Sequence, residues 1–296
     1  MSMAKDRAQR DKTGRLMRWV ICAFAVLMLA PSAFAGEFDM LPGSQTYAPA
    51  TYTNWRGFYV GGQAGYSDAG ADFSQTTQAP IAYALRDLTL ESQDAPSNWP
   101  VLGSANHGMG SFGGFVGYNT QFEKLVAGLE ANYEQASLSL LAPNSPITRV
   151  TPVDSQGDNY LVNITGSGSM TNLDFGTLRA RAGWALGNFL PYGFVGVAVG
   201  RANINIATTI TGQQNPPASG GACSSSNTPP CFPFLVGGTA GKDSEWLYGG
   251  TVGAGLDVAV TRNIFLRAEY EYVQFGQVAG LVVNINTARV GAAFKF

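Results

Sequence analysis

The stretch "TARVGAAFKF" (residues 287–296) decides the fold. Ala288, Val290, Ala292, Phe294 and Phe296 alternate with Thr287, Arg289, Gly291, Ala293 and Lys295. Successive side chains of a strand point to opposite faces, so the segment has one greasy face and one carrying Arg289 and Lys295. A helix would scatter both sets around its circumference and hold a glycine in its interior. Seven earlier stretches alternate in the same way. "GFYVGGQAGYS" (57–67) aligns Phe58, Val60, Ala64 and Tyr66, and "SFGGFVGYN" (111–119) aligns Phe112, Val116 and Tyr118. "KLVAGLEANYE" (124–134) sets Leu125, Leu129 and Tyr133 against Glu130 and Glu134, and "TLRARAGWAL" (177–186) sets Leu178, Ala180, Ala182 and Trp184 against Arg179 and Arg181. "WLYGGTVGAGLDVAV" (246–260) opposes Trp246, Tyr248, Val252 and Leu256 to Asp257, while "IFLRAEYEY" (264–272) opposes Leu266, Tyr270 and Tyr272 to Arg267, Glu269 and Glu271. "PYGFVGVAVGRA" (191–202) is apolar on both faces, and its register stays open.

The connections alternate too. Short turns ("TQFE", "GNF", "TRN") join the second stretch to the third, the fourth to the fifth and the sixth to the seventh. Residues 68–110, 135–172 and 203–245 form long connections on the other side. Each stretch approaches the roughly 9–11 residues of a tilted membrane-spanning strand, and such sorting of turns and loops is expected of outer-membrane barrels. The sequence thus predicts an all-β fold: an eight-stranded antiparallel up-and-down transmembrane β-barrel with three long extracellular loops and short periplasmic turns. Alternating pieces such as "NINIATTI" (203–210) suggest that some strands continue above the membrane.

Composition agrees. Charged residues are 13% of the chain, about half the usual ~25% of a soluble domain. Lys5, Arg7, Arg10, Lys12, Arg15 and Arg18 precede the apolar run "WVICAFAVLMLA" and the small-residue site "PSAFAG". That run is too short to span a bilayer as a helix and reads as an export signal, residues 1–35, cut between Ala35 and Gly36. Residues 36–55 read as an extended periplasmic segment, and 56–296 as the barrel. Removing the leader takes six basic and two acidic residues from totals of 18 and 20, leaving 12 and 18 and a formal charge of −6. That balance excludes nucleic acid as a partner.

The polar faces hold Glu130, Glu134, Asp257, Glu269 and Glu271 against Arg179, Arg181, Arg267, Arg289 and Lys295. Parity of this kind suits an enclosed lumen, where unpaired charge is costly. An eight-stranded barrel is only wide enough for its side chains to fill, so the expectation is a charge-paired plug. Glu134, Glu271 and Lys295 could equally sit at a solvated rim. The greasy face then meets lipid, with Tyr66, Tyr118, Tyr133, Trp184, Trp246, Tyr248 and Tyr272 as its aromatic girdle.

"NWRGFYVGGQAGYS" (54–67), "PYGFVGVAVG" (191–200) and "RVGAAFKF" (289–296) resemble the alphaproteobacterial small outer-membrane proteins, the immunogenic surface-antigen, porin-like family of Brucella and rhizobia. The resemblance implies an abundant envelope barrel with structural, antigenic or permeability roles, embedded in the outer-membrane bilayer of a Gram-negative bacterium. The C-terminal Phe294 and Phe296 resemble the signal read by the outer-membrane assembly machinery. Haemin binding belongs to some relatives, but no ligand residues transfer, and no cofactor or metal is expected. The long loops match no known partner.

Within "GACSSSNTPPCFPF" (221–234), Cys223 and Cys231 are the only cysteines left once the leader, with Cys22, is gone. In an oxidising compartment they are expected to form a disulfide rather than two free thiols. His107 is the only histidine. With Ser104 and Ser111 nearby, it admits a lipid A-modifying hydrolase as an alternative, but a lone loop histidine is ordinarily solvated and the chain reads as no enzyme. The remaining alternatives are a narrow porin-like channel for small solutes and, from the resemblance, a haemin-binding surface protein.

Overall fold

Alternation of this kind leaves each strand with one face to bury and a row of backbone groups to pair, and closure of the sheet answers both demands. The computed structural model describes residues 53–217, 223–277 and 280–296, without the side chains of 240–243. Signal peptide, cleavage site and residues 36–52 lie outside the described residues. In chain order the elements are β1 (Gly57–Asp72), α1 (Gln78–Leu85), α2 (Thr89–Asp94), a 3-10 turn (Pro96–Asn98), β2 (Ser104–Phe122), β3 (Leu125–Leu141), β4 (Ile147–Val150), β5 (Tyr160–Trp184), β6 (Phe189–Gln214), β7 (Phe232–Ala259), β8 (Ile264–Phe275) and β9 (Val282–Lys295).

Every neighbouring pair is antiparallel, β1 pairs with β9, and β3 pairs with β5. Eight strands therefore close into a ring, with β4 added outside it on the edge of β5. Val60 lies opposite Phe294 and Ala64 opposite Val290, so the final strand seals the barrel against the first. Gly57, at φ +132°, starts β1 where any side chain would strike the Phe296 carbonyl. The short turns stand where the sequence places them.

The connections on the other side are a correction. Residues 135–172 and 203–245 consist largely of strand: β5, β6 and β7 run 25, 26 and 28 residues. Two bulges explain why this was hidden. Asn172 and Leu173 of β5 together oppose Ala202, and Asn172 has φ +53°. Likewise, two residues of β7, at 243 and 244, oppose Asn203, with Ser244 at φ +57°. A two-against-one bulge reverses which side chains face inward. On β5 the buried positions are Arg181, Arg179, Thr177 and Phe175 below the bulge, and Met170, Ile164 and Val162 above it.

Above the bulges the outward positions are Asn163, Thr165, Ser167 and Ser169 on β5, with Asn205, Thr209 and Thr211 on β6. The inward aliphatics Val162, Ile164 and Ile210 pack with Ile81, Leu85 and Leu90 of the two helices. Ile81 and Leu85, one turn apart, give α1 its buried stripe. This part has the ordinary polarity of a protein in water.

Candidate functional site

The interior is layered. At the short-turn end Trp55, Tyr59, Phe115, Val126, Leu190, Phe265 and Ala293 form an apolar stopper. Trp55, which the sequence assigns to the extended segment, is buried, and its backbone N–H donates to Gln121 Oε1 at 2.7 Å. The charged layer follows, and within its level Gln63 donates at 2.9 Å to Asn132, which stands between Glu130 and Glu134 on β3; beyond it Ser67 Oγ meets Thr287 Oγ1 at 2.8 Å. Above it Phe73, Leu140, Met170, Phe175, Ile204, Ile206 and Phe275 belong to one large apolar cluster.

Three of the charge pairs are direct cross-strand partners: Glu130 with Arg179, Asp257 with Arg267, and Glu269 with Arg289. The strands thus bring acid opposite base before any reach across the lumen. Arg267 donates to Asp257 Oδ1 at 2.9 Å and across the barrel to Glu130 Oε2 at 2.8 Å. Arg181 bonds Asp257 at 2.6 Å and Glu130 at 3.2 Å. Arg179 bonds Glu130 and reaches Glu269 at 2.7 Å. Arg289 meets Glu134 at 2.6 Å and Glu271 at 2.7 Å. Thr251 donates to the second oxygen of Glu271 at 2.7 Å. All nine charged side chains are at most 5% exposed. Taking each ion out of water costs several kcal/mol, and only such multiple, charge-assisted bonding offsets it.

Lys295 is not among them. Its Nζ donates to the carbonyl of Asn54 at the short-turn rim, because β9 ends there and the four-carbon stem reaches water. The parity of five and five expected from the sequence becomes five carboxylates against four guanidiniums.

Aromatic rings complete the layer. Arg181 stacks 3.7 Å over Tyr192, Arg267 4.1 Å over Phe115 and Arg179 4.2 Å over Phe194. Tyr59 donates to Glu130 and Tyr192 to Glu269, each at 2.7 Å. These residues were missed in the sequence, yet a signal exists. Tyr59, Phe115, Tyr192 and Phe194 each lie directly across from a glycine: Gly117, Gly61, Gly255 and Gly253. At Gly117 a side chain would collide with the Tyr59 ring.

Outside, the faces are reversed. Leu129 is 63% exposed, and Val60, Val116, Leu178, Val195, Val252 and Val290 are exposed with it. Tyr66, Tyr133, Trp246 and Tyr248 are exposed on the side of the long strands, with Tyr272 half-buried; Tyr118 and Trp184 lie toward the short turns beside Phe58, Phe294 and Phe296. Eight residues separate Phe58 from Tyr66; at ~3.4 Å per residue and ~40° tilt they span roughly 20 Å of height, close to the ~25 Å apolar band of a membrane barrel.

Cys223 and Cys231 are joined by a disulfide with Cα atoms 5.1 Å apart. His107 lies on β2 opposite Ala69, and its exposed side chain has no hydrogen-bond partner among the described residues; Ser111 is buried and bonds Ser67 at 3.1 Å, so no serine–histidine pair forms. Among the described residues no group of His, Cys, Asp or Glu could hold a metal ion.

A closed ring of strands with a lipid-compatible exterior and an ion-paired interior defines an integral outer-membrane β-barrel. The chain belongs to the family of the outer membrane protein beta-barrel domain, whose model matches residues 24–296. It is 29% identical to the 31 kDa outer-membrane immunogenic protein of Brucella melitensis biotype 1, over 95% of this chain and 100% of that protein. It is 24% identical to the 22 kDa outer membrane protein of Rhizobium leguminosarum bv. viciae, over 75% of this chain and 65% of that one. Among solved structures, Neisserial surface protein A aligns with 81% of this chain and 97% of its own at 16% identity and a TM-score of 0.34. The protein is located in the outer membrane of a Gram-negative bacterium.

Proposed function

We propose that the protein is a non-conducting, non-enzymatic surface barrel that supports the envelope and presents its long-strand end to the exterior as an antigenic, interaction-bearing head. The observation that supports this is the lumen: nine buried, bonded charges lie between an apolar cluster at the short-turn end and a larger apolar cluster on the other side. The short turns then face the periplasm. Immunogenicity in the Brucella relatives' names is consistent with an exposed head.

Purified protein in planar bilayers is expected to show no steady openings above the lipid baseline; sustained large conductance would overturn the plug. A cysteine at Thr209, on the outer face of the head, is expected to react with an impermeant maleimide on intact cells, and protection there would invert the orientation. We further propose that the assembly machinery reads Phe294 and Phe296, whose rings are 5.1 Å apart on the lipid side. Phe296→Ser is expected to lower the assembled, heat-modifiable fraction severalfold.

A further inference from the structure

At the short-turn rim a recess of about 610 Å³ opens between the start of β1, the β7–β8 turn and the end of β9. Arg56, Arg262 and Lys295 line it, together with the apolar side chains of Val260 and Phe296. The recess is built rather than incidental. Thr53 Oγ1 donates to Asn188 at 2.7 Å, Asn263 Nδ2 donates to the Lys295 carbonyl at 2.8 Å, and Thr261 Oγ1 accepts the N–H of Ile264 at 3.0 Å. These bonds fix all three walls.

Its charge is one-sided. Arg56 and Arg262 are exposed, and neither forms an ion pair among the described residues, although every arginine in the lumen is multiply paired. A free guanidinium offers a planar fork of donors matched to phosphate oxygens. Val260 and Phe296 are exposed on the lipid side of the same recess, and Phe294 continues the apolar surface up β9. A ligand held here has an anionic head beside Arg56 and Arg262 and hydrocarbon against the aromatic rim.

We infer that the recess is a binding site for the phosphate headgroup of an anionic glycerophospholipid in the periplasmic leaflet. The inference rests on the proposed orientation, with the short turns toward the periplasm. The lipid source is favoured over an aqueous anion because the basic groups adjoin the surface that meets acyl chains.

The test uses the full mature chain in detergent, titrated with dioleoyl phosphatidylglycerol or dioleoyl phosphatidylcholine and read by native mass spectrometry. Retention of phosphatidylglycerol is expected to exceed that of phosphatidylcholine severalfold, and to fall to the phosphatidylcholine level in the Arg56→Gln/Arg262→Gln double variant. Heat-modifiable migration verifies folding of the variant, and Arg86→Gln/Arg201→Gln, at the opposite end, is expected to keep the preference. Equal retention of the two lipids, or a preference surviving the Arg56/Arg262 substitutions, overturns the site. Displacement of the lipid by equimolar glycerol phosphate also overturns it, since the ligand would then be an aqueous anion. Tryptophan quenching by brominated phosphatidylcholine separates the two levels: absent quenching sinks the membrane reading with the site, whereas quenching with equal retention sinks the site alone.

Discussion

Strands β5, β6 and β7 pass through two solvents, and their two halves obey opposite rules. Within the bilayer Leu178, Ala180 and Ala182 face outward and Arg179 and Arg181 inward; above it Thr165 and Ser167 face outward and Ile164 and Val162 inward. Backbone pairing is the same in both halves. What differs is the medium outside, so apolar side chains move to whichever face avoids water. In a barrel wall, then, polarity reports the surroundings, and the strand alone does not determine it.

The sharpest way to break this comparison is to remove a charge from the lower half. Arg267→Ala leaves Asp257 and Glu130 buried without that partner and is expected to cost about 3–5 kcal/mol. Loss of heat-modifiable migration at a markedly lower temperature is the measure. The exposed pair of Arg201 with Asp174, 3.5 Å apart near the bulge, is the control; Arg201→Ala is expected to cost less than ~1 kcal/mol.

Next in size is the outer face. Leu129→Arg places a cation near the middle of the lipid band and is expected to destabilise by about 2–4 kcal/mol in urea titrations of vesicle-inserted protein. Thr209→Arg, also exposed and on β6 above the bulge, is expected to change stability within ~0.5 kcal/mol. Equal costs at both sites would erase the switch.

Ile164→Val trims one methylene from the head core for about 0.5–1.5 kcal/mol. Limited proteolysis is expected to speed up in the head while the barrel keeps its gel mobility; a matching loss of barrel stability would mean that the two halves unfold as one.

The smallest effect concerns Asp154 at the base of the β4–β5 loop. The Asp158 N–H, then the Thr89 hydroxyl, hold its carboxyl below its ordinary value of 3.8. A depressed folded value contributes stability that is present above the unfolded value and lost as pH falls through the folded one. Amide exchange at Asp158 is expected to accelerate only below about pH 4, while the barrel strands stay protected.

The barrel was legible because Glu130, Arg179, Arg267 and Arg289 each interrupt an otherwise greasy alternation at period two. The head was not. Its periodicity restarts in the opposite phase at Asn172 and Ser244, and a pattern search that demands one phase ends a strand at both. For β6 the obstacle was chemical: Tyr192, Phe194 and Ala198 inward and Val195, Val197 and Val199 outward are alike in hydropathy. Lys295 misled because alternation assigns a face but not a depth, and a long side chain at the final residue of a strand can leave the lumen altogether. The glycines opposite Tyr59 and Phe194 carried the missing information, but only a known register lets them be read as vacancies for rings.

The bulges also uncouple two lengths. In an uninterrupted strand, adding or losing one residue slips the register and turns every following side chain to the wrong face. Irregular pairs at Asn172 and Ser244 act as expansion joints, so hairpins beyond them can lengthen, shorten or be exchanged while the arginines beneath stay aimed at their carboxylates. Variation in the head thus has a place to accumulate without touching the part that must insert.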